Sequence, residues 1–174
     1  MIWFKRLILS STLLALCVVV FGAFVRLTDA GLGCPDWPGC FGTLTVPESE
    51  MAIIEAQSLY PGTVVEVGKA WSEMIHRYLA GILGLIVLLI AIVGYKVREN
   101  LKVKLILPFS LLALIIFQAA LGMWTVTELL KPVIVTAHLM GGMTTLGLLT
   151  YITYRHFGTV GNTIIINPGI KPFI

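Results

Sequence analysis

At 174 residues, with 57% hydrophobic and only 12% charged side chains and a mean hydropathy of +0.95, the chain is too apolar for an ordinary soluble domain. It reads as an all-α integral membrane protein. The net charge of +3 is small, and its basic residues cluster at particular ends of the apolar stretches, so it reads as an orientation signal and not as a nucleic-acid footprint.

Four apolar stretches, about residues 7–24, 71–95, 105–126 and 133–154, each meet the roughly 20 residues a helix needs to cross about 30 Å of hydrocarbon. In lipid the backbone groups must pair internally, so the stretches are predicted to be helices, and four spans leave both termini on one side. The architecture expected is an antiparallel four-helix transmembrane bundle with one long extracytoplasmic loop. Lys5-Arg6 before the first stretch also suits a signal peptide. Ser10, Ser11 and Cys17 are small, but no A-x-A-like site follows Phe24, so the stretch is read as a retained span with Cys17 in its core.

The connection 25–70 carries Arg26, Asp29, Asp36, four glutamates (Glu48, Glu50, Glu55 and Glu66) and two of the three cysteines. Pro47 and Pro61-Gly62 bracket a short surface helix over 51–59. The connection 96–104 is short and basic. The turn 127–132 is tight, so the third and fourth spans are expected to be antiparallel neighbours. Residues 157–174, with Pro168-Gly169 and Pro172, read as a tail. Lys5, Arg6, Lys96, Arg98, Lys102, Lys104, Arg155 and Lys171, eight of the twelve basic residues, share the face of the termini with a single acid, Glu99. That face, tail included, is expected to be cytoplasmic, in a cell (plasma or inner) membrane, with lipid around the bundle.

His76 and His138 lie about 8–9 Å inside the starts of the second and fourth spans, at 1.5 Å per residue, and both spans run inward from the same side. An ionisable group within a span marks a functional site by default. Two imidazoles at matched depth on different helices point to the axial ligands of a heme iron set between helices. Ala80 and Gly84 below His76, Gly141 and Gly142 below His138, and the stripe Gln118, Gly122, Thr125 on the third span would leave room for a flat macrocycle. The same small residues also serve plain helix packing. Gly22-Ala-Phe24 and Gly122-Met-Trp124 are similar, and each precedes a histidine-bearing span, which suggests two related helix pairs about a pseudo-two-fold axis. His156, beside Arg155, reads as a headgroup-facing residue.

Glu73 and Arg77 flank His76 at i, i+4, a spacing that suits either an anchoring ion pair or a working pair. In the working reading Arg77 binds a heme propionate, and the Glu73 carboxylate handles protons or steadies a developing cation at the ring edge. Arg26, at the mouth of the first span, is a second propionate candidate or an interfacial anchor. In Gly31-Leu-Gly-Cys34-Pro-Asp-Trp-Pro-Gly-Cys40 five residues separate the thiols, and an oxidising compartment favours a Cys34–Cys40 disulfide. A structural staple and a redox partner both fit it; a metal site does not, for want of a nearby outer histidine.

Several motifs in order resemble the heme A synthase family of cytochrome oxidase assembly proteins: Val25-Arg26-Leu27-Thr28 leading into the cysteine string, Glu73-Met-Ile-His76-Arg77, Gln118-Ala-Ala-Leu-Gly122 with Thr125-Val126, and Thr136-Ala-His138-Leu. The resemblance implies an oxidoreductase that converts a methyl group of heme O to the formyl of heme A. It implies His76 and His138 as axial ligands, Glu73 as the required carboxylate and Cys34–Cys40 as the outer disulfide; Arg26, Arg77 and Gln118 remain heme-binding candidates on the reading of the residues above. It also implies a resident heme b, and heme O synthase and a cytochrome oxidase subunit as associates. Residues 1–156 would be one heme-binding domain. Members of the family have two such four-helix halves and this chain has one: copies associate, one site alternates, or the chain is a fragment or one component of a split system, and a homo-oligomer or a second half-subunit is the favoured expectation. Two other readings stand beside this one: a bis-histidine heme b electron carrier, and a non-catalytic heme-carrying assembly factor.

Overall fold

A computed structural model describes residues 2–101 and 106–157. They form five helices: α1 Ile2–Leu27, α2 Glu50–Leu59, α3 Val67–Leu101, α4 Ile106–Thr127 and α5 Pro132–Phe157. All but α2 are long and apolar enough to cross a membrane. The short α2 falls where the proline brackets put it. Ser49 caps it, the hydroxyl accepting the Ala52 N–H at 3.2 Å. Of the expected tail, α5 takes in Phe157 and residues 158–174 lie outside the described residues; so do residues 102–105 of the basic connection.

The largest departure from the hydropathy pattern is α3. It begins at Val67 and not near Trp71, and its 35 residues span about 52 Å, well beyond a hydrocarbon core. The added turn is held by contact with the long loop. Ala70 is fully buried, and a Cβ on Gly33 would lie 2.6 Å from the Lys69 carbonyl carbon. His76 therefore lies about 14 Å from the start of its helix and His138 about 9 Å, so helix starts are a poor measure of their relative depth.

α1 packs against α3 and α5, and α4 packs against the same two helices. The four form a square with α1 and α4 on one diagonal and α3 and α5 on the other. Each turns a seam inward with alternating steps of three and four residues, as in left-handed bundles. In α1 the seam is Phe4, Ile8, Ser11, Ala15, Val18, Gly22 and Val25; in α3 it runs His76, Ala80, Leu83, Val87, Ile90 and Gly94. Pro108, Leu111, Ile115, Gln118, Gly122 and Thr125 in α4, and His138, Gly142, Thr145, Leu149 and Ile152 in α5, complete it, all buried or half-buried. Cys17 falls two residues past Ala15, off this seam, and is exposed, which corrects its expected place in the core.

The seam changes character along the bundle. Toward the chain-terminal end Phe4, Ile8, Ala15, Leu83, Val87, Ile90, Leu111, Leu149 and Ile152 form a closed apolar core. Toward the loop end the seam positions are glycine, histidine and glutamine. Outward faces carry large apolar side chains such as Leu13, Val20, Leu85, Ile116 and Met140, as lipid contact requires.

The suggested pairing of helices has a structural counterpart. α1 closes with Thr28 N–H donating to Phe24 O (3.0 Å), Asp29 to Arg26 O (3.4 Å) and Ala30 to Val25 O (2.9 Å). α4 closes in the same register, with Glu128 to Trp124 O (3.0 Å), Leu129 to Val126 O (3.0 Å) and Leu130 to Thr125 O (2.8 Å). Asp29 and Leu129 share left-handed φ values of 51° and 50°. Pro132 then opens α5, where its missing N–H costs nothing.

Across the α1–α5 contact the Thr12 and Thr153 hydroxyls are 2.7 Å apart. Thr153→Val is expected to lower stability by about 0.6 kcal/mol, the usual worth of an interhelical hydrogen bond in a membrane protein, read by detergent-induced unfolding in mixed micelles.

Candidate heme site

The loop end is capped by the cysteine string. Cys34 and Cys40 form a disulfide, with both residues fully buried. It packs into a small core of Phe41, Val46, Ala56, Ala70 and Met74, which joins the loop to α2 and to the first turns of α3. The turn between the cysteines is held from inside: the Asp36 carboxylate accepts the N–H groups of Phe41 (2.6 Å) and Gly42 (2.8 Å). Tyr60 stacks edge-on against Phe41, the centroids 5.7 Å apart. Burial and the Asp36 carboxylate raise the Tyr60 phenol above its ordinary pKa.

Beneath this cap the two histidines occupy diagonal helices, and each ring rests against a glycine of a neighbouring helix. A Cβ on Gly22 would lie 2.7 Å from His76 Cε1, and one on Gly122 would lie 3.4 Å from His138 Cε1. The two helix pairs thus use the same device, a glycine in the first helix that admits the imidazole of the second. The Gln118 side chain lies over Gly141, where a Cβ would fall 1.8 Å from its Nε2.

Among the described residues, three buried side-chain nitrogens here find no hydrogen-bond partner: His76 Nδ1, His138 Nδ1 and Gln118 Nε2. Buried polar atoms are rarely left so, and three along one seam need an explanation. No group of three or more His, Cys, Asp or Glu residues among the described residues has the arrangement of a metal cage. Two imidazoles on diagonal helices without further donors suit an iron that brings its own equatorial nitrogens, as a porphyrin does. Heme therefore fits the donor set and the orphaned atoms.

Glu73 and Arg77, one turn toward the loop from His76 and beside it, are drawn into the cap. Glu73 Oε2 accepts the Cys34 N–H at 2.9 Å, and its Oε1 pairs with Arg77 Nη2. Arg77 Nη1 donates to the carbonyls of Asp36 (2.9 Å), Pro38 (3.3 Å) and Gly39. Arg77 thus spends much of its guanidinium on loop carbonyls. The Arg77–Glu73 pair is largely buried, with side chains only 12% and 6% exposed. Arg26 stands on the exposed surface 3.6 Å from Asp29.

The seam therefore brings together His76, His138 and Gln118; Glu73 and Arg77 form the layer above with the disulfide, and Arg26 lies apart. The spacing of Glu73 and Arg77 foretold their pairing, but sequence reasoning missed their loop partners because these are main-chain groups. Pro35, Pro38 and Gly39 announced a bend but not which carbonyls it would aim at α3.

The fit of Gln118 on Gly141 gives a test. Gly141→Ala is expected to destabilise the protein by about 1–3 kcal/mol through overpacking. Most of that loss should vanish in a Gln118→Ala background, as read by a double-mutant cycle of thermal unfolding.

The chain is similar to known proteins. The family described as cytochrome oxidase assembly protein matches residues 5–165. Heme A synthase of Shewanella oneidensis is 49% identical over 88% of this chain and 44% of its own length. Heme A synthase of Shouchella clausii is 33% identical over 68% of this chain and 34% of its own. Protoheme IX farnesyltransferase 1 of Natronomonas pharaonis is 32% identical over 66% of this chain and 20% of its own. No solved structure matches. The chain spans less than half the length of these relatives, yet the match runs from the first helix to the last. It belongs to the cytochrome oxidase assembly protein family that includes the heme A synthases.

Proposed function

We propose that residues 1–156 form a heme-binding unit of a heme A synthase, in which a methyl group of heme O is oxidised to the formyl of heme A. The observation that carries this reading is the pair of imidazoles on diagonal helices, each seated on a glycine and each with a buried nitrogen lacking a partner. His76 and His138 are the residues that would hold the iron, with Gln118 contributing to the same site. The match to an enzyme named for farnesyl transfer to protoheme supports a farnesylated heme as ligand.

When bound, heme iron supplies the redox chemistry; the protein supplies position and electrostatics. Glu73 would place a carboxylate near the ring edge, where negative charge favours a cationic carbon on the substrate. Its tie to Cys34 and Arg77 holds that charge in one place before any substrate arrives. Arg26, with 56% of its side chain exposed and only a loose pair to Asp29, is the freer partner for a propionate; Arg77 reaches one by exchanging loop carbonyls for it.

The membrane assignment follows from charge. Each described cation of the loop end (Arg26, Lys69, Arg77 and Lys131) is paired with an acid. Lys5, Arg6, Lys96, Arg98 and Arg155 sit at the opposite end, which we place in the cytoplasm with both termini. The heme site then faces the extracytoplasmic leaflet, as a disulfide there would require. Relatives are about twice as long, and a second four-helix unit, whether continuing this chain, in a homo-oligomer or as another subunit, would supply the site for a resident heme b. Heme O synthase and a cytochrome oxidase subunit are the natural neighbours for delivery and receipt.

Expressed with a source of heme O, the protein is expected to yield heme A on pigment extraction and mass analysis. Glu73→Gln should stop that conversion while bound heme remains. Bound, reversibly reducible heme b with no heme A in any preparation would instead assign the chain as an electron carrier or heme-carrying assembly factor. His76→Ala and His138→Ala should each abolish or strongly weaken heme binding; unchanged heme-to-chain stoichiometry in both would end the ligand assignment.

A further inference from the structure

The loop groups that Arg77 and Glu73 engage lie in the ring that the disulfide closes, apart from Gly33 directly before it. Arg77 Nη1 meets the carbonyls of Asp36, Pro38 and Gly39, and Glu73 Oε2 meets the N–H of Cys34. The remaining oxygen of Glu73 and the second terminal nitrogen of Arg77 meet each other. A planar guanidinium can bridge a carboxylate and carbonyls at once, which a lysine ammonium matches poorly. Three carbonyls of one short segment converge on a single nitrogen only while the segment is tightly bent, and the Cys34–Cys40 bond closes that bend covalently.

We propose that Arg77 is a positioning residue: together with the disulfide-closed ring it fixes the Glu73 carboxylate one turn above His76, so the oxidation state of Cys34–Cys40 sets where Glu73 stands. This rests on the reading that Glu73 works beside a heme held by His76. With the ring opened, the carbonyls no longer converge, and the ion pair is left without its anchor on the loop. Arg77 is then free to turn toward other anions, and Glu73 loses its tie to Cys34.

The test uses the whole chain in nanodiscs, with dithiothreitol and hemin as probes. Dithiothreitol gives two electrons and two protons, closing to its own cyclic disulfide while the protein S–S bond becomes two thiols. In the wild-type protein the buried disulfide should be reduced slowly, as read by alkylation and mass shift. Arg77→Ala should accelerate the reduction about tenfold or more, the scale of losing hydrogen bonds to a charged group. Arg77→Lys should behave nearly as Ala, because it keeps the charge and loses the fork. If Arg77→Ala does not fold, Glu73→Gln, which still accepts the Cys34 N–H, should give a smaller acceleration. Unchanged reduction rates in folded Arg77 or Glu73 variants overturn the proposal.

A second readout concerns the bound hemin. Arg77→Ala and the Cys34→Ser/Cys40→Ser pair should shift its midpoint potential in the same direction, and the combined variant should shift it no further than either alone; additive shifts would show independent action and overturn the coupling. His76→Ala should lose hemin while the disulfide stays protected, so failure of the heme reading and failure of this one are told apart.

Discussion

A membrane helix has no water to satisfy a polar side chain, and that constraint organises the bundle. Every imidazole, amide and hydroxyl turned inward must find a partner within protein or ligand. Thr12 with Thr153, and Thr145 with its own helix at Gly141, are settled in this way. His76, His138 and Gln118 retain nitrogens that are not, and they stand where the seam loses its large apolar side chains. The closed apolar half keeps the helices in register, and the polar half is free to be shaped by glycines. Gly22 and Gly122 admit the rings and Gly141 admits the glutamine, so backbone approach, not side-chain bulk, sets the width of the site.

The cap above depends on the same economy of buried charge. Removing one member of a buried ion pair leaves the other uncompensated, at a cost of about 3–5 kcal/mol. Glu73 and Arg77 avoid this by satisfying each other and by borrowing main-chain groups from the loop. The loop in turn gains a fixed seat on α3, and this seat keeps α3 helical back to Val67. Local helix length, loop shape and carboxylate position are thus one coupled arrangement.

Much of this was legible in the amino-acid order. Hydropathy located four spans to within a few residues at most ends, because a membrane core demands long apolar runs. The prolines about 47–62 bracketed α2, and the cysteine spacing foretold the disulfide. What was not legible shares a physical cause. The start of α3 is fixed by contact with Gly33 and not by hydropathy. The partners of Arg77 are carbonyls, which every residue carries and none advertises. The exposure of Cys17 follows from a seam phase that becomes visible only once several helices are in register.

The likeness of the two helix pairs bears on how a flat guest would sit. Two helices ending in the same hydrogen-bonded turn, each admitting its neighbour's imidazole, approximate a rotation axis through the centre of the square. A disc on such an axis has two insertions that differ by half a turn, and the imidazoles alone do not choose between them. The positions flanking His138 that answer to Glu73 and Arg77 are Val135 and Leu139, so charge is present on one side only. That single asymmetry, anchored by the loop that only the first pair carries, is what would direct one particular rim of the disc toward the carboxylate.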